Sequence, residues 1–404
     1  MPDSVLVDLA HQVLEVSNSP EQRRRRELWV RFHALHPPRP LVHYAMYMRV
    51  WEREIASPDQ FHHQQGLARS IEVQLRSRLW KAQHIPDDEP LLPTIWLPTP
   101  HPAGNDRLWG LEIPMRRTVP LGAGKPIPLL QTEEDLTRLH YPPYEELSEE
   151  KRALLEQACE LTDNLLPVKL DSDELGFGPF EWAVRLRGMD NLLYDVIDRP
   201  HFVHQLMDFI TEGMVRYHLA REAAGAVDAE ASWALHTVYD TVPEGKQHQL
   251  SGSWVYLHAQ SAASLSPRMY AEFIQPSNAR LASLFWRAYY HGCEDLSAKA
   301  SIIAELPNLR LFHISPWTPV EPVVRVLSNR CALEVHSHPT KVLFEFSPEQ
   351  MRDELHMRHE ATDGAVHVLK LCDVETVGSN WERLKQWAEA ARELAESASA
   401  RVDD

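Results

Sequence analysis

The sequence predicts an α/β barrel of the TIM type with an N-terminal helical extension. Three observations carry this. From about residue 150 onward, short apolar runs alternate with helical stretches, the mark of βα units and a parallel sheet. The later runs end in polar, chemistry-bearing residues, as strands do at the catalytic face of such barrels. The 404-residue length also suits one barrel of roughly 250 residues enlarged by insertions.

Residues 1–38 read as the extension. A helical pattern over 4–36 places Leu6, Leu9, Val13, Leu28, Trp29 and Phe32 at apolar positions, and Pro37-Pro-Arg-Pro40 ends it. The barrel follows over 39–404, opening with the strand Leu41–Met46. An insertion around 56–150 holds a helix near 66–84, the strands Thr94–Leu97 and Leu108–Ile113, and a proline-rich turn between them. The remaining expected strands are Leu165–Leu170, Ala231–Val238, Trp254–Ala259, Ala288–Cys293, Leu309–Ile314, Cys331–His336 and Val366–Cys372. These exceed eight, so one or two fall outside the barrel. The last helix, Trp381 to about Ser399, repeats Trp381, Leu384, Trp387, Ala388, Ala391 and Leu394 at helical spacing and is expected to pack outside the sheet.

Composition narrows the function. Hydrophobic residues make up 44% and charged residues 25%, enough apolar material for a large core. Forty-one Lys and Arg against 58 Asp and Glu give a net charge of −17, which argues against nucleic acid or an anionic membrane as partner. No apolar run reaches the roughly 18 residues of a membrane span, and the first residues lack a signal-peptide core; a cytoplasmic location is expected. Four scattered cysteines, Cys159, Cys293, Cys331 and Cys372, suit free thiols or metal ligands better than a disulfide framework.

The richest segment is Arg287-Ala-Tyr-Tyr-His-Gly-Cys-Glu294. Residues two apart on a strand share a face, so His291 and Cys293 point at one place. Imidazole and thiolate are ligands zinc prefers, and a catalytic zinc needs only three protein ligands. Cys372, at the end of another strand, supplies a candidate third. The plain alternative is a packed thiol beside a hydrogen-bonded histidine. Other polar strand ends are His313 with Ser315 and Trp317, His336 with His338, and Asp373. Glu294, Asp373 and His336 are candidates for orienting ligands or moving protons. The sequence has no Walker phosphate loop, no Gly-x-Ser-x-Gly elbow and no His-Glu-x-x-His motif, which disfavours the common nucleotide-binding, serine-hydrolase and zincin classes.

Several segments together resemble the uroporphyrinogen decarboxylase-like superfamily, closest to its cobamide-dependent methyltransferase branch. They are Glu27-Leu-Trp with Arg39-Pro40, Leu166-Pro-Val-Lys169, Leu186-Arg-Gly with Asp198-Arg-Pro200, Ser266-Pro-Arg-Met-Tyr-Ala-Glu-Phe273, Tyr290-His-Gly-Cys-Glu294, Leu306-Pro-Asn-Leu-Arg310, Ser315-Pro-Trp317 and Asp373-Val-Glu-Thr-Val377. The resemblance implies a distorted (β/α)8 barrel with its site at the C-terminal strand ends. It also implies zinc held by His291, Cys293 and Cys372, although Cys372 stands in Lys370-Leu-Cys-Asp373 where the family has a glycine-rich strand end. The implied reaction moves a methyl group between a small methylated substrate or thiol and a corrinoid. No Asp-x-His-x-x-Gly motif is present, so the corrinoid would come from a partner protein or from solution. Trp254, Gln260, His336 and Trp317 would shape the pocket. A homodimer is compatible with this family. The decarboxylases themselves carry a Met-Arg-Gln-Ala-Gly-Arg segment; here Met48-Arg-Val-Trp-Glu-Arg53 keeps Arg49 and Arg53 but loses the centre. A metal-independent carboxy-lyase with Arg49 and Arg53 as carboxylate clamps is therefore an alternative, as is a non-catalytic barrel that binds a small molecule.

Overall fold

The computed structural model describes residues 1–98, 107–116, 125–171, 175, 178–231, 238–328 and 330–400. The helical stretch at the N-terminus is two helices, α1 (Ser4–Ser17) and α2 (Pro20–His33), not one. The break is written in Ser19-Pro20: the Ser19 hydroxyl accepts from Gln22 N–H, and Pro20 occupies the first helical position, where its missing N–H costs nothing.

Eight parallel strands follow, six in one ladder and two in another. They are β1 (Leu41–Tyr44), β2 (Ile95–Leu97), β3 (Val168–Leu170), β4 (Trp254–His258), β5 (Arg287–His291), β6 (Leu309–Ile314), β7 (Ala332–His336) and β8 (His367–Leu371). The large ladder runs β1-β8-β7-β6-β5-β4, and β2 pairs with β3. Among the described residues the two ladders share no strand pairing, so the architecture is a parallel α/β sheet with helices on its outside. The last helix, α3 (Glu382–Ala400), lies against β1.

One expected strand is not formed. Leu108–Ile113 is a turn and not a strand: Gly110 sits at φ +84°, where a side chain is disfavoured, and a Cβ there would strike the His140 ring. The segment is held instead by burial of Leu108, Trp109 and Ile113. Ala231–Val238 lies mostly outside the described residues.

Strand alternation sorts the side chains. Val255, Leu257, Ala288, Tyr290, Phe312, Ile314, Leu333 and Val335 face outward into the large helical core. Inward, Leu41, Trp254, Tyr289, Leu311, Ala332 and Val368 form one apolar layer, closed from below by Trp29 and Phe32 of α2. Two residues further along each strand the inward positions turn polar, at Tyr256, His291, His313, Glu334 and Lys370, with His336 a further two along. The N-terminal extension is thus a plug, and the polar groups stand above its floor.

The free side of β1 is finished by side chains. Asp88 accepts from Val42 N–H and Asp87 from Tyr44 N–H, while Asp88 N–H donates to the Val42 carbonyl. Arg39 grips Asp88 through both carboxylate oxygens at 2.7 and 2.8 Å. An exposed strand edge is thereby closed without another strand.

Three buried histidines away from the strand ends set an acid limit. Burial, and then Arg287, holds His33 well below the ordinary histidine range. Burial, and then Arg221, does the same to His218, and burial brings His367 to about 4. Unfolding lets each take a proton near pH 6.5, so the unfolded chain binds more protons below that pH. Their stabilising contribution is complete above 6.5 and is lost as pH falls. Stability is therefore expected to fall as pH drops below about 6.5. Urea unfolding at pH 7.5 and 5.0 is expected to show a steep fall in midpoint; an unchanged midpoint would refute the assignment.

Candidate metal centre at the strand ends

The inward residues of β5 to β8 converge because each strand places every second side chain on the same face. His291 Nδ1 lies 2.9 Å from the Tyr256 hydroxyl, and its Nε2 is 4.0 Å from Cys293 Sγ. The His313 ring sits between His291 and His336, at centroid distances of 4.2 and 4.0 Å. Ligand atoms of His291, Cys293 and His313 lie within 4.8 Å of one another.

Beneath them Glu334 is a hub. Its Oε1 accepts from Tyr289 at 2.6 Å and His336 Nε2 at 2.7 Å and approaches His313 Nδ1 at 3.3 Å, while Oε2 takes the Lys370 ammonium at 2.7 Å. Burial works against this carboxylate, but Lys370 and the two histidines outweigh it and hold it well below the usual range. An ionised carboxylate only accepts, so His336 carries its proton on Nε2 and offers a lone pair at Nδ1. Cys372 Sγ lies 3.0 Å from that nitrogen. Burial, and then His313, brings His336 to about 3, and burial keeps His291 far below the ordinary value. Both imidazoles are neutral, the form that binds metal.

Burial, with Asp373 and Glu294 nearby, pushes the Cys293 thiol up to about 11. Burial likewise raises Cys372. Without a cation these thiols stay protonated; a divalent ion reverses that balance. His313, Glu334 and His336 also form a close trio, but Lys370 already neutralises its carboxylate and would repel a dication. A third group, His43, Asp87 and Glu89, has Lys81 bonded to both acids. Of these three groups among the described residues, that of His291, Cys293 and His313 has no lysine bonded to it, and its two nitrogens and single sulfur suit zinc.

The other sequence candidates are dispersed. Asp373, at φ +56°, accepts from the Tyr47 hydroxyl at 2.8 Å and lies 3.3 Å from Cys372 Sγ. Both Glu294 carboxylate oxygens are buried with no hydrogen-bond partner, and burial raises its pKa. Trp317 is 59% exposed and meets the His338 ring edge-on; Gln260 is exposed just beyond β4. Trp254 is not brought to the cluster: it stands in the floor layer against His33 and donates to Asp240. Arg49 is paired with Glu375, both largely exposed, and Arg53 with Glu54. Arg49→Ala is expected to change stability by less than about 1 kcal/mol, as exposed pairs do, so a change in KM for that variant reads substrate binding directly.

Glu334, Tyr256, Tyr289 and Lys370 were not foreseen from the sequence, and His313 was seen only as a polar strand end. The overlooked signal is a polar residue inside an apolar strand two positions before a strand-end candidate: Glu334 with His336, Lys370 with Cys372, Tyr289 with His291.

No family model and no curated protein matches this chain. Among solved structures, a methyltransferase from Methanosarcina mazei superposes with a TM-score of 0.55, covering 92% of this chain and 98% of that one at 14% identity. The likeness is one of fold. It extends over nearly the full length of both chains. No helix among the described residues is long and apolar enough to cross a membrane.

Proposed function

We propose that this chain is a zinc-dependent methyltransferase of the uroporphyrinogen decarboxylase-like superfamily, built as a distorted (β/α)8 barrel and acting in the cytoplasm with a corrinoid from a partner protein or from solution. The carrying observation is the convergence of His291, Cys293 and His313 at strand ends, on a fold shared with a methyltransferase. The sequence resemblance to the cobamide-dependent branch supports the same reading.

His291 and Cys293 would hold the metal, with a third donor from Cys372, as the resemblance implies, or His313, which the geometry places nearer. Bound zinc supplies a Lewis acid that keeps a thiol deprotonated near neutral pH or polarises a methylated heteroatom. The chain's own residues do the rest. Tyr256 fixes the His291 ring, and Glu334 with Tyr289 fixes His313, so both imidazoles are oriented before a ligand arrives. Glu294, whose carboxyl is buried with no other side chain bonded to it, would exchange a proton with substrate, and Asp373 and His336 would orient the Cys372 thiol. Arg49, Gln260 and Trp317 would border the approach.

The carboxy-lyase alternative asks Arg49 and Arg53 to hold substrate carboxylates, yet each already faces an acid of this chain. The deciding experiment measures zinc per chain in tag-free protein and then methyl transfer from methylcobalamin to candidate thiols, and from methoxy compounds to reduced cobalamin. About one zinc and zinc-dependent transfer are expected. A folded, reduced protein that binds no metal and remains active on carboxylate substrates would overturn the proposal.

A further inference from the structure

We infer that the third protein ligand of the metal is His313, and that Cys372 is a free thiol held beside the centre by His336. This rests on the metal reading above and concerns the ligand set. Three observations support it.

The first is distance. Sulfur and nitrogen ligands on a tetrahedral zinc stand about 3.5 Å apart, given bond lengths near 2.3 and 2.0–2.1 Å. Cys293 Sγ and His291 Nε2 are 4.0 Å apart, and His313 joins them within a 4.8 Å limit. Adjustments of about 0.5 Å for the first pair and at most about 1.5 Å for His313 complete the set. Cys372 belongs to no such group among the described residues; its sulfur is on His336 Nδ1 at 3.0 Å.

The second is support from behind. Metal-bound histidines donate their other ring nitrogen to an oriented acceptor. His313 Nδ1 faces the Glu334 carboxylate and the Tyr289 hydroxyl at 3.3 Å each, leaving Nε2 for a ligand. The third is competition. To reach the metal, Cys372 must leave His336, whose lone pair is directed at it because Glu334 fixes the proton on Nε2. Nothing of the kind holds His313 back.

The test is X-ray absorption at the zinc edge on the loaded, full-length wild-type protein in buffer free of thiols, which needs no variant to fold. One sulfur at about 2.3 Å with nitrogen or oxygen neighbours at about 2.0–2.1 Å is expected. Two sulfurs would overturn the assignment of His313 while leaving the metal proposal standing. No zinc binding at all would overturn both. In a second measurement, Cys372→Ser is expected to keep one zinc per chain and an unchanged sulfur shell, whereas His313→Gln lowers zinc affinity on the order of 100-fold or more. The reverse pattern, with circular dichroism showing both variants folded, would assign the ligand to Cys372.

Discussion

Glu334→Gln is expected to destabilise the protein by about 3–5 kcal/mol, the cost of leaving a buried charge without its partner. The stranded group is the Lys370 ammonium, whose side chain is only 11% exposed and which is bonded to Glu334 at 2.7 Å. A glutamine accepts through one oxygen only: if that oxygen keeps the Tyr289 and His336 donors that now converge on Oε1, its NH2 group confronts the Lys370 ammonium. Urea unfolding measures the loss. Pairing the change with Lys370→Met removes the orphaned charge and is expected to recover much of it. A single variant as stable as wild type would show that the ion pair is not formed in solution. A folded Glu334→Gln should also lose about 10- to 100-fold in zinc affinity, because His313 and His336 lose the acceptor that fixes their protons.

Cys293→Ala is expected to separate function from stability in the opposite sense. Cys293 is half-buried, and its recorded hydrogen-bonding neighbour is His291 at 4.0 Å, so truncation should cost about 1 kcal/mol or less. Its removal takes the one thiolate from the proposed ligand set, so zinc should be absent after dialysis and methyl transfer should fall to the uncatalysed rate. Equilibrium dialysis with metal analysis, followed by a methylcobalamin assay, tests both. A Cys293→Ala protein retaining stoichiometric zinc and half its activity would exclude this cysteine from the centre.

Much of the frame was legible because strands and helices leave periodic traces. Residues 309–314 and 331–336 alternate between helical core and interior as expected, and His291 and Cys293 share a face because a two-residue step on a strand allows nothing else. The boundary errors have physical causes. The helical pattern across 4–36 masked the Ser19-Pro20 cap, and a glycine in left-handed conformation turned Leu108–Ile113 from a strand into a turn. Glu334 was the harder case. Its role depends on Lys370, Tyr289 and His313 arriving from three other strands, and no local spacing encodes that meeting. Trp254 misled for the related reason that position along a strand, not residue type, decides whether an inward aromatic lies at the floor or the mouth.

The plug formed by α2 has a consequence for traffic. Trp29 and Phe32 pack against Leu41, Tyr289, Leu311, Ala332 and Val368, so the side of the cluster that faces α2 is filled with apolar side chains. A polar ligand of the proposed centre would therefore approach from the C-terminal ends of the strands, and a product would leave on that same side.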